Sequence, residues 1–128
     1  MFVDASAIVA ILTDKLEARA LEAAKAAITS PIAVWETAAS ISRKTARRAE
    51  AELADVLSFL DLAEIVIAPV DMMVTAAAVA AFDRYGRRSG HRADLNMGDC
   101  FAYAFAKRGN MPLLYKGKDF AFTDVRRD

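Results

Sequence analysis

One cysteine and one histidine are all that the 128 residues hold. Cys100 alone excludes an internal disulfide framework and a cysteine-rich zinc site, and His91 alone excludes the paired-histidine zinc motifs. No apolar run approaches the ~20 residues that a membrane helix needs, because charges break each candidate. The opening Met-Phe-Val-Asp has an acid at position 4 and no basic region, so no secretory signal is expected. The expected setting is the cytoplasm, with no membrane. Net charge is also lacking: 17 basic and 17 acidic residues cancel, which excludes a strongly basic, general nucleic-acid binder. Low-complexity stretches, internal repeats and interdomain linkers are absent, and only three prolines and five glycines interrupt the chain.

What is present is apolar. Hydrophobic residues make up 55% and charged residues 27%, the balance of a folded globular chain. The length suits a single domain over residues 1–128. The zero charge hides a gradient: residues 1–80 carry 7 Lys/Arg against 11 Asp/Glu, and residues 81–128 carry 10 against 6.

Short apolar runs alternate with helical stretches. Met1–Val3, Ile28–Ser30, Ile65–Ile67 and Pro112–Tyr115 read as strands. Helices are expected over Ser6–Leu12, Lys15–Ala27, from a Ser30-Pro31 start through Ser42, over Arg47–Leu62, from Asp71 to about Tyr85, and over Gly98–Lys107. Gly86–Leu95 reads as a loop. This order predicts an α/β fold, a parallel central sheet with helices on both faces.

Most acids fall beside Lys or Arg on helix surfaces, among them Glu50, Glu52 and Asp55, and read as solvated. Four break that pattern. Asp4 follows the first strand, Glu36 sits beside Trp35 in a mostly apolar helix, Asp99 opens an apolar helix, and Asp119 follows the last strand. In a parallel sheet, ligands bind beyond the carboxyl ends of the strands, where Asp4 and Asp119 project if strands one and four are neighbours. Converging carboxylates repel, and a divalent cation such as Mg²⁺ or Mn²⁺ removes that cost. Each acid also has an ordinary reading as a helix cap, a surface residue or a turn residue, and spacing alone does not bring the four together.

Four segments carry a resemblance. Phe2-Val-Asp-Ala-Ser-Ala7, Pro31 to Ser42 with Glu36, Leu95-Asn-Met-Gly-Asp-Cys-Phe-Ala-Tyr-Ala104, and Leu113-Leu-Tyr-Lys-Gly-Lys-Asp-Phe120 with Thr123-Asp124 resemble, in order, the motifs of PIN domains of the bacterial VapC type. The resemblance implies a PIN-like fold and a ribonuclease toxin of a type II toxin–antitoxin pair, an endoribonuclease using one or two Mg²⁺ or Mn²⁺ ions. It also implies an RNA substrate, inhibition by a VapB-type antitoxin, and a homodimer. By this likeness Asp4, Glu36, Asp99 and Asp119 form the catalytic quartet, with Asp4, Asp99 and Asp119 as metal ligands. Ser6 and Asn96 support the site, Gly98 lies on the approach to the third acid, and Asp124 competes with Asp119 as the fourth acid.

The segment from Arg84 to Arg92 holds four Arg and no acid. Arg87, Arg88 and Arg92 are candidates to grip RNA phosphates and Tyr85 to stack on a base. Arg43, Lys44, Arg47 and Arg48 read as a solvated helix face. The Lys15–Ala27 helix and the Leu53, Leu57, Leu60 stripe are candidates to form a groove for an antitoxin helix. Two other readings compete: another Mg²⁺-dependent phosphate hydrolase, and a non-catalytic PIN-like module binding RNA or protein. A haloacid-dehalogenase-type phosphatase wants a second acid two residues after the first, where this chain has Ser6.

Overall fold

The computed structural model describes residues 1–13 and 26–127. The helix expected over Lys15–Ala27 lies outside them, save its last two residues. The described chain runs β1 (Phe2–Val3), α1 (Ala5–Thr13), β2 (Ile28–Thr29), α2 (Pro31–Thr45), α3 (Ala49–Leu62), β3 (Val66–Ile67), α4 (Met72–Tyr85), α5 (Met97–Arg108) and β4 (Leu113–Leu114). No helix among the described residues is long and apolar enough to cross a membrane.

The helix starts follow from side chains able to satisfy orphan backbone donors. Ser30 accepts from Ala33 N at 3.1 Å, and Pro31 follows at the first helical position, where its missing N–H costs nothing. Asp71 caps α4 by accepting from Val74 N at 2.8 Å. Asn96, rather than Asp99, caps α5. Its side chain accepts from Asp99 N at 2.9 Å, while the Asp99 carboxylate accepts from Asn96 N at 3.1 Å.

The four strands pair in parallel in the order β3-β2-β1-β4. Phe2 stands opposite Leu113 and Val3 opposite Leu114. Successive strand side chains point to opposite faces. Phe2, Leu113 and Tyr115 therefore pack against α4 and α5, with Phe2 stacked on Phe105 at 5.0 Å. Val3 and Leu114 pack on the other side, with Ile8 of α1, Val34 and Ile41 of α2, and Val56 and Leu60 of α3. Both faces are covered, which is why β1 and β4 read as unbroken apolar runs. β3 lies at the edge, with Val66 63% exposed.

One expectation needs correcting. Glu52 is not solvated: it is 3% exposed, accepts from Thr45 Oγ1 at 2.8 Å, and faces Arg47 at 3.4 Å. The corner between α2 and α3 folds over it. The Gly86–Leu95 segment is a loop of turns and bends, closed at its ends. Arg87 N donates to Leu95 O at 3.0 Å and Leu95 N to Tyr85 O at 2.9 Å, so its two ends are tied at the base.

Candidate active site

The sheet order sets the place of the site. From β1 the chain moves to one side, into β2 and β3, and returns to the other side as β4. The crevice outside the carboxyl ends of β1 and β4 is the switch point where parallel sheets take ligands. One cleft of about 580 Å³ lies there, and Asp4, Glu36, Asp99 and Asp119 all line it.

Each acid arrives by a different route. Asp4 continues β1, its N–H donating to Leu114 O at 3.0 Å. Its Oδ2 accepts from Ser6 N at 3.0 Å and from Ser6 Oγ at 2.5 Å. Ser6 Oγ in turn accepts from Lys116 N at 3.1 Å, so one hydroxyl fixes Asp4 and ties α1 to the turn after β4. Asp99 sits in the first turn of α5, held by Asn96. Glu36 reaches from α2 to α5 at Gly98, where an added Cβ would stand 2.2 Å from both carboxylate oxygens. Only a residue without a side chain lets the two helices place Glu36 there. Asp119 is exposed on a turn that Gly117, at φ 99°, allows and the buried Phe120 anchors against Tyr115.

The carboxylates are uncomfortable as charges. Burial pushes the Asp4 carboxyl up, partly offset by the bonds from Ser6. Glu36 is pushed up to about 7, by burial first and then by the charges of Asp4 and Asp99. Asp99 also rises to about 7, chiefly through burial, with Asp119 and Asp4 adding and Asn96 N–H and Arg87 opposing. Buried acids that repel one another are the electrostatic signature of a cation site or an acid–base site.

The donor set is all oxygen, which suits Mg²⁺ or Mn²⁺. Among the described residues no three His, Cys, Asp or Glu side chains form a ready-made metal cage. Mg²⁺ keeps several waters and is typically held by one or two carboxylates together with substrate phosphate. The residues therefore fit a divalent ion that shares its coordination with water and phosphate.

The other sequence candidates divide. Ser6 and Asn96 line the cleft. Asp124 does not. It accepts from Tyr103 Oη at 2.5 Å and from Lys107 Nζ at 3.2 Å, and faces Arg84 at 3.7 Å. Tyr103 and Lys107 of α5 claim that carboxylate, so between the two acids only Asp119 reaches the cleft. Tyr85 is unavailable for stacking on a base: it is 3% exposed, packed edge-on to His91 and Tyr103. Arg87 lies close enough to Asp99 to stabilise its charge. Arg88 is exposed, and the Arg92 guanidinium lies over the Phe122 ring at 4.1 Å.

Some cleft residues were not read as part of the site, Arg43 and Lys44 being taken for a solvated helix face. Trp35, Arg43 and Lys44 line the same cavity as the acids. Trp35 is 68% exposed instead of packed in the core. The available signal was helical spacing: Ser40, Arg43 and Lys44 follow Glu36 by four, seven and eight residues, which is one face of a helix.

Comparison with known proteins finds relatives along the whole chain. The sequence matches the PIN domain family over residues 1–126. It is 41% identical to the Ribonuclease VapC of Mycolicibacterium smegmatis, covering 98% of this chain and 97% of that one. It is 37% identical to VapC ribonuclease R02377 of Rhizobium meliloti, over 97% of this chain and 98% of the relative. The fold is similar to that of Mycobacterium tuberculosis VapC20, a sarcin–ricin loop cleaving toxin, with TM-score 0.77, 14% identity, and 99% and 97% of the two chains covered.

Proposed function

This chain belongs to the PIN-domain family, among its VapC members, and on that premise we propose that it is a divalent-metal-dependent endoribonuclease acting as the toxin of a toxin–antitoxin pair. The observation that carries the reading is the convergence of Asp4, Glu36, Asp99 and Asp119 in one cleft at the carboxyl ends of β1 and β4. Asp4, Asp99 and Asp119 would hold one or two Mg²⁺ or Mn²⁺ ions. A bound ion supplies Lewis acidity, lowering the cost of deprotonating water and of charge building on the phosphate oxygens.

The chain's own residues point to water as the nucleophile. The Cys100 thiol is buried and pushed up to about 11, so it is not a thiolate at neutral pH. His91 Nδ1 accepts from Ala93 N at 3.0 Å, outside the cleft. The Ser6 hydroxyl is committed to Asp4. Glu36, pinned against Gly98, is placed to orient a water toward the phosphorus and to take up its proton. Asp4 and Asp99 keep fixed geometry through Ser6 and Asn96, so the site needs little rearrangement when phosphate arrives.

A VapB-type antitoxin would close this cleft. Beside it, an apolar groove between α2 and α3 is lined by Val34, Ala38, Ala39 and Leu53, a surface suited to an amphipathic segment. Homodimer formation would use Val79, Phe82 and Met97, which are exposed on α4 and α5. The natural setting is the cytoplasm, where the RNA substrate lies.

The test is cleavage of total cellular RNA by antitoxin-free protein, with Mg²⁺ or Mn²⁺ and with EDTA, beside Asp4→Asn. Discrete, metal-dependent cuts absent from the variant are expected. Folded wild-type protein that leaves all RNA intact in the presence of metal overturns the reading. Activity confined to small phosphate monoesters would instead assign a phosphatase.

A further inference from the structure

We infer that α2 carries a substrate-gripping rim beyond the acids: Trp35 stacks on an RNA base next to the scissile phosphate, and Arg43 and Lys44 hold a neighbouring phosphate. This rests on the nuclease reading above and names the part of the cleft that receives the strand beside the cut.

Three observations carry it. First, Trp35, Glu36, Arg43 and Lys44 of α2 line one cavity with Asp4, Asp99 and Asp119. Along a helix rising 1.5 Å per residue, Arg43 lies roughly 10 Å from Glu36, so a strand whose phosphate sits at the acids runs on toward the cations. Second, Trp35 is the chain's single tryptophan and is 68% exposed, although burial is the usual fate of so large an apolar side chain. An indole open to solvent on a cleft rim offers a flat face to a base. Third, the two cations differ from their neighbours. Arg47 pairs with Glu52 and Asp55, and Arg48 with Glu50, whereas among the described residues no carboxylate lies within ion-pair distance of Arg43 or Lys44. An aromatic face and cations without a carboxylate partner among the described residues, in one cavity with a phosphate-directed site, match single-stranded nucleic acid better than they match a peptide.

Because Trp35 is the only tryptophan, intrinsic fluorescence reports on this rim alone. Wild-type protein would be titrated with a random-sequence single-stranded RNA oligonucleotide in EDTA, and cleavage kinetics measured separately with Mg²⁺. Base stacking is expected to quench the fluorescence. Trp35→Ala should raise KM roughly five- to a hundredfold, the range that stacking energies per base imply, with kcat nearly unchanged. Trp35→Phe, which keeps a π-face, should recover most of that loss and guards against a folding defect. Arg43→Ala with Lys44→Ala should flatten the salt dependence of binding by about 0.7 in slope for each phosphate no longer held.

Wild-type KM in Trp35→Ala, with fluorescence indifferent to RNA, overturns this inference while leaving the nuclease intact. A tryptophan that responds only to an antitoxin peptide assigns the rim to protein docking and overturns it equally. Absence of metal-dependent cleavage by the wild type removes the nuclease reading and this one with it.

Discussion

The Glu36 carboxylate fills the space that a side chain on Gly98 would need. A methyl group on Gly98 would stand 2.2 Å from both oxygens of the Glu36 carboxylate. The contact joins α2 to the first turn of α5, one residue before Asp99. Gly98→Ala should therefore push Glu36 aside without breaking the fold, because the displaced atoms are the end of a flexible side chain and alanine favours a helix by about 0.5–1 kcal/mol. Expected are a melting temperature near wild type and a cleavage loss of roughly tenfold or more, similar to that of Glu36→Gln. A double-mutant cycle should show that the two losses do not add. Full additivity would break the link.

Asp4→Asn and Asp99→Asn should each cost more than about a hundredfold in RNA cleavage, beyond what loss of an outer-shell partner of a metal site costs. Their stability should hold or rise, since each removes a charge that burial disfavours. Circular dichroism melts and a cleavage assay on the same preparations check both halves. Either variant cutting at the wild-type rate ends the assignment.

The raised acids make a pH prediction for the metal-free protein. Glu36 goes from 4.5 to about 7, and Asp99 from 3.8 to about 7. The folded state thus holds protons that the unfolded state has released, so stability falls as pH rises through that window. Below pH 4 both states are protonated at these groups and the penalty vanishes. Thermal melts in EDTA should show a higher Tm at pH 5 than at pH 8. Mg²⁺ or Mn²⁺ should raise Tm more at pH 8, where the carboxylates are charged and free to bind. A metal effect independent of pH would contradict the carboxylate cluster as the ion's seat.

Asp124 and Asp119 should separate cleanly. Asp124→Ala leaves the Tyr103 hydroxyl without its acceptor and frees Lys107, so it should cost about 1 kcal/mol of stability while activity per folded molecule stays unchanged. Asp119→Asn should do the reverse, lowering cleavage at unchanged Tm. Exchange of these two phenotypes would identify Asp124 as the fourth acid.

The fold was largely written in local signals. The Ser30-Pro31 start, the apolar pair Phe2-Val3 and the Gly109-Asn110 stop sit where the elements begin and end, within a residue or two. The strand assignments needed only apolar runs between turn signals. The meeting of Asp4 with Asp119 was legible once β1 and β4 were taken as neighbours. What stayed hidden depends on contacts across the chain. Asp119 and Asp124 are five residues apart, and nothing local reveals that Tyr103 and Lys107 claim the second. Tyr85 stands near the start of an exposed arginine-rich stretch, yet its ring is buried and packs edge-on to His91. Glu52 looks like any surface acid until α2 folds back over it. Trp35 sits among alanines and valines that are core, but Val34, Ala38 and Ile41 take the inward face of α2 and leave the indole at its side.

The sheet divides the interior into two separate cores, and the acids do not respect the division. Glu36 hangs from the layer built on Val3 and Leu114, whereas Asp99 belongs to the layer built on Phe2 and Leu113. Neither layer alone holds more than part of the set. During synthesis Glu36 leaves the ribosome well before Asp99 and Asp119, so the proposed cutting centre stays incomplete until both halves have closed on the central strand.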